Sequence, residues 1–305
     1  MYKFLARRLL FFIPVLYLTA TAVFFLVRVA PGGPFDAEKP PSAAALEQLK
    51  KHYMLDAPLW KQYGFYLINL CKGDLGASMN NPTRTVSETI ASGFPVSAEL
   101  GVWALCWALA VGLTAGIVAG IRPHSWLDNI PMSLSMTGIC IPSFVLGPLL
   151  VLVFSLKWRI FPVQGWNGML CRVLPAITLG AGCAAYIARL TRGAMLETLS
   201  QDFIRTARAK GLTETQVVLR HALRASLTPV ASFLGPAAAG LLTGSFVVET
   251  VFQIPGLGRE FVRSAFNRDY TMTLGLSLFY AALILIFNLL SDLLQSWLDP
   301  RARNS

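Results

Sequence analysis

Three histidines (His52, His124 and His221) and five cysteines (Cys71, Cys106, Cys140, Cys171 and Cys183) are the side chains of this sequence best equipped to hold a metal or act as nucleophiles. Metal sites place such ligands a few residues apart, as in CxxC or HExxH, and neither spacing occurs here. There is no Gly-Lys dipeptide, hence no GxxxxGK(S/T) loop to cradle nucleotide phosphates, and no GxSxG elbow for a serine nucleophile. No catalytic residue, metal site or resident cofactor is therefore assigned to this chain. Cys106, Cys140 and Cys183 lie inside apolar runs and read as small packing residues, while the sequence leaves open whether Cys71 and Cys171 pair.

The densest polar chemistry lies in one block, DFIRTARAKGLTETQVVLRHALRASLTP, from Asp202 to Pro229. It carries Arg205, Arg208, Lys210, Arg220 and Arg224 against Asp202 and Glu214, so it is a basic segment between two apolar runs. Its pattern is helical on both sides of a break. Phe203, Ala207 and Ala209 lead into Lys210-Gly211, with Gly211 at the place where a helix ends with φ > 0. Thr213 is placed to cap a second helix in which Val217, Val218, His221 and Ala222 share a face. Two short helices joined by a glycine and flanked by membrane spans form a knob suited to docking in a partner's groove. A basic loop that only fixes topology is the competing reading.

The elements that position this knob follow from composition. With 54% hydrophobic and 14% charged residues and a mean hydropathy of +0.55, the chain is an integral membrane protein, since soluble domains carry about 25% charged residues. The formal charge of +10 sits at the ends of apolar runs, which points to topology and excludes a nucleic-acid surface. Six uncharged runs approach the length of about 20 residues that a spanning helix needs: Leu9 to Val27, Leu100 to Ile121, Asn129 to Leu156, Val173 to Ala188 (continuing to Thr191), Ala225 to Val248, and Tyr270 to Ser291. Lys3, Arg7 and Arg8 precede a first run too long for a signal peptide and without an A-x-A site, so it is expected to be a retained span that starts inside. Six spans then put both termini in the cytosol. Leaving aside the long first outer segment, Lys and Arg number 13 inside against 7 outside, in line with that orientation.

Along the chain, the outer segment after span 1 is predicted to hold a helix from Ser42 to about Tyr53, a second opening at Asp56-Pro58, and a third piece from Val86 to Ser92 ahead of Phe94-Pro95. In the second, Leu59, Trp60, Tyr63, Leu67 and Leu70 recur at helical spacing with Lys61, Gln62 and Asn69 elsewhere, as in a helix lying on a membrane surface. Pro131, Pro142 and Pro148 interrupt the third span, which is expected to bend and line a path. The fifth is rich in small residues, and Gly240 with Gly244 forms a small-xxx-small step. Two readings stand for it: close packing within the bundle, or a pore-lining helix that meets its counterpart in a partner. Glu249 likewise either lines the outer mouth or is capped by nearby backbone.

The wording FIRTARAKGL followed by LRHALRASLTP resembles the membrane-spanning subunits of ATP-binding-cassette importers, in the peptide branch and specifically the B-type permease subunits of oligopeptide importers. VAPGGPF, GDLGAS, the stretch Glu249 to Gly258, FNRDY and LDPR extend the resemblance over essentially the whole chain. The family's general motif is Glu-Ala-Ala, three residues, Gly, nine residues, Ile-x-Leu-Pro. Laid on Gly211, it is met by Ala207, Gly211 and Leu223 alone, which argues against the sugar branch.

The resemblance implies an all-α integral membrane protein with the six transmembrane helices of the type I ABC importer permease fold and a partly helical extracytoplasmic segment between spans 1 and 2. The expected divisions are 1–28 (cytosolic end and helix 1), 29–93 (extracytoplasmic segment), 94–293 (transmembrane domain, with an ATPase-coupling loop at 192–224) and 294–305 (cytosolic tail). In this reading Arg205, Ala207, Lys210, Gly211, Leu212 and Leu223 contact the ATPase, and Gly240, Gly244, Glu249 and Pro142 belong to the path or its outer mouth. The implied function is half of an inner-membrane pathway for oligopeptides, working by alternating access. Implied partners are a second related permease, two ATPase subunits that bind ATP and magnesium, an extracytoplasmic peptide-binding protein and the bilayer. A permease for dipeptides, nickel or antimicrobial peptides, or a stand-alone ion-coupled transporter, are the alternatives.

Overall fold

The computed structural model describes residues 2–30, 32–35, 47–49, 51, 53–243 and 245–298. Ser42, Gly244 and the tail from Asp299 lie outside the described residues, so the cap expected at Ser42 and half of the Gly240/Gly244 step are not addressed. Among the described residues the structure is helical apart from one antiparallel bridge between Ala77 and Thr85. Five stretches are long and apolar enough to cross a bilayer: Arg8–Val29, Val86–Ile121, Leu170–Leu199, Thr228–Val251 and Tyr270–Leu293. A sixth candidate is a bent pair, Trp126–Cys140 with Ser143–Lys157, whose halves meet at 111°.

The bend expected in the run from Asn129 to Leu156 is a break between two helices at Ile141-Pro142. Proline has no amide hydrogen to give and pushes the preceding residue out of the helical region, and Ile141 is accordingly extended at φ −88°, ψ 114°. Pro142 then opens the next helix. The second span departs from expectation. The piece Val86 to Ser92 is not separate, because one helix runs from Val86 to Ile121 through Pro95. Its start is set by a reciprocal cap: Glu88 N donates to Thr85 Oγ1 at 3.1 Å, and Thr85 N donates to Glu88 Oε2 at 2.9 Å.

The chain divides into two compact units, Met1–Val96 with Gly256–Leu285 and Ser97–Pro255 with Ile286–Ser305. The first unit contains helices α1 (Tyr2–Val29), α2 (Leu59–Cys71), the opening of α3 (Val86–Ile121), α12 (Leu257–Phe266) and most of α13 (Tyr270–Leu298). Val86, Leu257, Met272 and Leu276 form its core, packed by Ile90, Phe94, Phe261 and Phe279. Asp269 ties the loop ahead of α3 to the start of α13. Its carboxylate accepts from Ser78 Oγ, from Met79 N at 3.2 Å and from Met272 N at 3.0 Å.

Helix α2 exposes Leu59 and Trp60, together with Phe65 and Ile68, as a helix lying on a membrane surface would, but Gln62, expected away from the apolar face, is its buried residue. The amide is turned inward because it finds partners there: Nε2 donates to Leu55 O and Ala57 O, and Oε1 accepts from Arg28 Nε at 3.1 Å.

The second unit holds the remainder of α3, α4 (Trp126–Cys140), α5 (Ser143–Leu150) with a π-helical continuation Val151–Lys157, and α6 (Leu170–Leu199). It continues through α7 (Asp202–Ala209), α8 (Glu214–Gln216), a π-helical stretch Val217–Ala222, α9 (Leu223–Ser226), α10 (Thr228–Leu242) and α11 (Phe246–Val251). Helices α3 and α6 pack through glycines spaced four apart. A Cβ added at Gly112 would lie 2.6 Å from Ala184 O, one at Gly116 2.5 Å from Thr191 Cβ, and one at Gly120 2.5 Å from Met195 Cβ. Backbones come this close in a membrane only where side chains are absent. All five cysteines are free thiols.

Candidate functional site

The basic loop between α6 and α10 is built around a core of its own. Ile204, Ala207, Val217, Val218 and Ala222 bury against Met195 of α6, with Leu199, Leu212 and Ile117 of α3 packed around them. Amphipathicity makes this possible: α7 places Ile204 and Ala207 on one face and leaves Arg205, Arg208, Ala209 and Lys210 outside. Phe203 and Ala209 are exposed, and so is His221, expected to share a face with Val217, Val218 and Ala222. On a helix of about 3.6 residues per turn Phe203 and Ile204 flank Ala207 on opposite sides, and it is the Ile204 side that packs on Met195.

Local chemistry fixes the corner. Leu212 N donates to Ala207 O at 3.4 Å and Gly211 N to Arg208 O at 2.9 Å, the two crossed bonds of a Schellman stop, with Gly211 at φ +83°. Leu212 then turns inward onto the core. Thr213 restarts the chain with a capping box. Gln216 N donates to Thr213 Oγ1 at 3.4 Å, and Thr213 N donates to Gln216 Oε1 at 3.1 Å. Arg208 spans the corner from outside, with Nε to Glu214 Oε1 at 2.7 Å and Nη2 to Oε2 at 3.1 Å. That hydrogen bonding holds the Glu214 carboxyl below its ordinary value and raises the Arg208 guanidinium.

The result is a rigid knob fastened to two membrane helices, with a surface apolar at Phe203 (48% exposed) and Leu219 (60% exposed) and basic at Arg205, Lys210, Arg220 and Arg224. Phe203 also borders a cleft of about 410 Å³ with Glu197, Thr198, Gln201 and Pro229. At the root of the knob, Ser226 Oγ lies 3.2 Å from Thr198 Oγ1 and donates to Ala222 O at 2.9 Å, joining α9 to α6.

The expected contact residues therefore divide. Arg205, Lys210 and Gly211 share the exposed surface, whereas Ala207 is 5% exposed inside the knob, and Leu212 and Leu223 are half-buried. Ala207 is corrected from a contact residue to a core residue. Phe203 and Leu219 take the outward apolar role, and nothing in the sequence signals it.

The residues expected to line a path are spread over the second unit. Pro142 stands exposed at the 111° bend. Gly240 is exposed, and a Cβ added there would meet nothing within 4 Å. It is therefore not used for close packing against the described residues. Glu249 is fully buried, its Oε1 accepting from Ser97 Oγ at 2.8 Å and its carbonyl accepting from Ile254 N at 2.8 Å. This corrects the outer-mouth reading in favour of a bonded interior group, as an ionisable side chain held among helices requires partners. Sequence reading also missed Asp128, 2% exposed, which receives both Arg192 Nε and Nη2.

Comparison with known proteins agrees with this architecture. A family profile described as "Binding-protein-dependent transport system inner membrane component" matches residues 112–304. The oligopeptide transport system permease protein OppB of Haemophilus influenzae is 44% identical over 305 residues, spanning 99% of this chain and 100% of the relative. OppB of Escherichia coli K12 is 43% identical over the same shares. The dipeptide transport system permease protein DppB of Bacillus subtilis is 41% identical over 99% of this chain and 98% of its own.

Among solved structures, an amino acid ABC transporter chain superposes with a TM-score of 0.55 at 16% identity, over 69% of this chain and 94% of that one. The MetNI methionine ABC transporter gives 0.50 at 18% identity, over 70% and 94%. These two likenesses speak for the fold, the all-α type I permease arrangement. With a family profile over more than half its length and relatives above 40% identity end to end, the chain belongs to the binding-protein-dependent transport system inner membrane components, as a multi-pass permease subunit of the inner membrane.

Proposed function

We propose that this subunit forms half of the membrane pathway of an ATP-driven importer for oligopeptides, and that the loop 192–224 is the part on which an ATPase subunit seats. The carrying observation is the closed core of the knob. Because Met195 of α6 and Ile117 of α3 are packed into it, a push on the outer surface of α7 displaces two membrane helices with it. Coupling of this kind requires a rigid element whose two positions differ in free energy for the partner, and a Schellman stop, a capping box and a bidentate ion pair supply that rigidity. Phe203 and Leu219 fill an apolar groove in this reading, and Arg205, Lys210 and Gly211 meet acidic or backbone groups around it.

The remaining assignments follow from the same reading. The nucleotide and its magnesium reside in two separate ATPase subunits, and this chain performs no catalysis. Both termini are cytosolic. A second, related permease completes the path, and the exposed stripe Ser232, Pro236 and Gly240 on α10 is the face offered to it or to the substrate. The segment 29–93 receives an extracytoplasmic peptide-binding protein. Relatives named for oligopeptide and for dipeptide transport both align end to end, so dipeptides are the second substrate class to test.

Peptide uptake into vesicles containing this subunit is the decisive measurement, made with and without ATP, the ATPase pair and the binding protein. Uptake is expected only when all are present. ATP-independent accumulation by the subunit alone would overturn the reading.

A further inference from the structure

In the unit formed by Met1–Val96 and Gly256–Leu285 lies a cavity of about 310 Å³ whose wall includes Arg28, Tyr66, Asn69, Asp74, Phe65 and Met54. Arg28 is held there by a built frame. Its Nε donates to Gln62 Oε1 at 3.1 Å and its Nη1 to Phe24 O at 3.1 Å, and the guanidinium lies 3.5 Å from the Phe24 ring centre. Gln62 is itself fixed by two backbone carbonyls and is 8% exposed, so the arginine is positioned rather than loose. Among the described residues no carboxylate pairs with Arg28, and its Nη2 has no acceptor.

Tyr66 stacks on the same Phe24 ring with centroids 5.6 Å apart, and its hydroxyl is buried with no hydrogen-bond partner. Burial pushes that phenol up to about 12, so it is a proton donor at any physiological pH. A half-buried guanidinium and a buried phenol, both with donors to spare, call for one anionic oxygen group.

The cavity is not purely cationic. Asp74 stands on the same wall, its Oδ1 accepting from Gly76 N at 2.8 Å. A simple dianion would meet that carboxylate unfavourably, whereas a zwitterion satisfies both ends. The rim is apolar and open: Met54 is 43% and Phe65 50% exposed, and Leu59, Trp60 and Ile68 are exposed on the same helix as Phe65. Such a surface beside the end of a membrane span suits acyl chains.

We infer that this cavity holds the headgroup of a zwitterionic phospholipid of the surrounding leaflet, its phosphate on Arg28 and Tyr66 and its ammonium toward Asp74. A peptide carries the same pair of charges at its termini, and the test separates the two sources. Native mass spectrometry of the assembled transporter, after detergent exchange and reloading from vesicles of equal parts phosphatidylethanolamine and phosphatidylglycerol, counts the lipids retained.

Wild type is expected to keep one phosphatidylethanolamine in preference to phosphatidylglycerol. Arg28→Met should weaken its retention by about tenfold or more, the loss of a charge-assisted pair of hydrogen bonds. Tyr66→Phe removes a hydroxyl that bonds to nothing in the free protein, so it should fold as wild type and still lose retention several-fold. Asp74→Asn should abolish the preference between the two lipids. Equal retention in wild type and both the Arg28 and Tyr66 variants overturns the inference, as does equal binding of phosphatidylglycerol by wild type. Displacement of the lipid by millimolar trialanine, without ATP, overturns the lipid assignment and gives the cavity to peptide.

Discussion

Arg192 grips both oxygens of Asp128 across 64 residues of chain, Nε to Oδ1 at 2.5 Å and Nη2 to Oδ2 at 2.7 Å. Asp128 opens α4, the first half of the bent pair, and also accepts from His124 N at 3.0 Å, while Arg192 belongs to α6, which carries the basic loop. The pair therefore pins the turn after α3 to the helix that carries the knob.

Arg192→Met strands a buried carboxylate and should cost about 3 kcal/mol, the usual penalty for breaking one side of a buried pair. Asp128→Asn combined with Arg192→Met should recover much of that loss. Arg192→Lys should recover little, because an ammonium cannot meet both oxygens in the plane of the carboxylate. Thermal unfolding of the purified subunit in detergent, analysed as a double-mutant cycle, reads the coupling. Additive effects would mean that the two residues act independently.

At Gly211 two substitutions separate backbone strain from lost geometry. A Cβ there meets nothing, so Gly211→Ala should cost only the left-handed backbone penalty of about 1 kcal/mol and retain transport. Gly211→Pro is incompatible with φ +83° and deletes the bond to Arg208 O, so it should insert normally yet hydrolyse ATP without import. Uptake and ATPase activity measured in the same vesicles check this, and wild-type uptake by the proline variant would remove the corner from the mechanism.

The clasp from Arg208 to Glu214 gives the loop a pH dependence of defined sign. Hydrogen bonding to Arg208 lowers the folded-state Glu214 value below the unfolded one, so the stabilisation is present above the unfolded value and is lost as pH falls through the folded value. Protection of the Leu212 and Thr213 amides, the exchange rate taken relative to the intrinsic rate at the same pH, should therefore be flat through neutral pH and fall only on the acid side of the ordinary carboxylate range. Glu214→Gln should abolish that acid step. An unchanged step in the variant would assign it to another group.

Gly116 and Gly193 make a matched pair for helix packing. Ala at Gly116 would place its Cβ 2.5 Å from Thr191 Cβ, and this overpacking should destabilise by about 1–3 kcal/mol. Gly193 faces open space in the helix α6, where Ala should be neutral or stabilise by up to about 1 kcal/mol. Protease resistance in membranes should fall for the Gly116 variant and hold or rise for the Gly193 variant.

Glu249→Cys tests burial directly. In an otherwise cysteine-free protein it should resist a membrane-impermeant maleimide, whereas Gly240→Cys, at an open position, should react unless a partner covers it. Rapid labelling at 249 would restore the outer-mouth reading.

Much of this architecture could be read from residue order, because membrane spans and local caps are local signals. Apolar run length found the spans, Thr213 announced its helix, and Gly211 its corner. What escaped was set by packing and by distance. Phe203 and Ile204 are equally apolar neighbours on either side of Ala207, and only the packing on Met195 sends one out and the other in. Gln62 reads as a surface polar residue until Arg28 and two carbonyls are brought to it by the fold. Asp128 and Arg192 carry no local sign of each other. The 111° bend lay in plain view at Pro142, which drives Ile141 out of the helix, but no composition rule supplies its size.

The π-helical winding of Val217–Ala222 has a further meaning for how such a surface is aimed. A π turn is an α-helix holding one surplus residue, and each residue of α-helix swings the chain by about 100°. Leu219 and Arg220 thus owe their compass bearing to a single extra amino acid. Deleting one codon in that stretch would rewind the ladder and point both side chains at a different horizon, leaving Ile204 and Ala207 beneath them where they are.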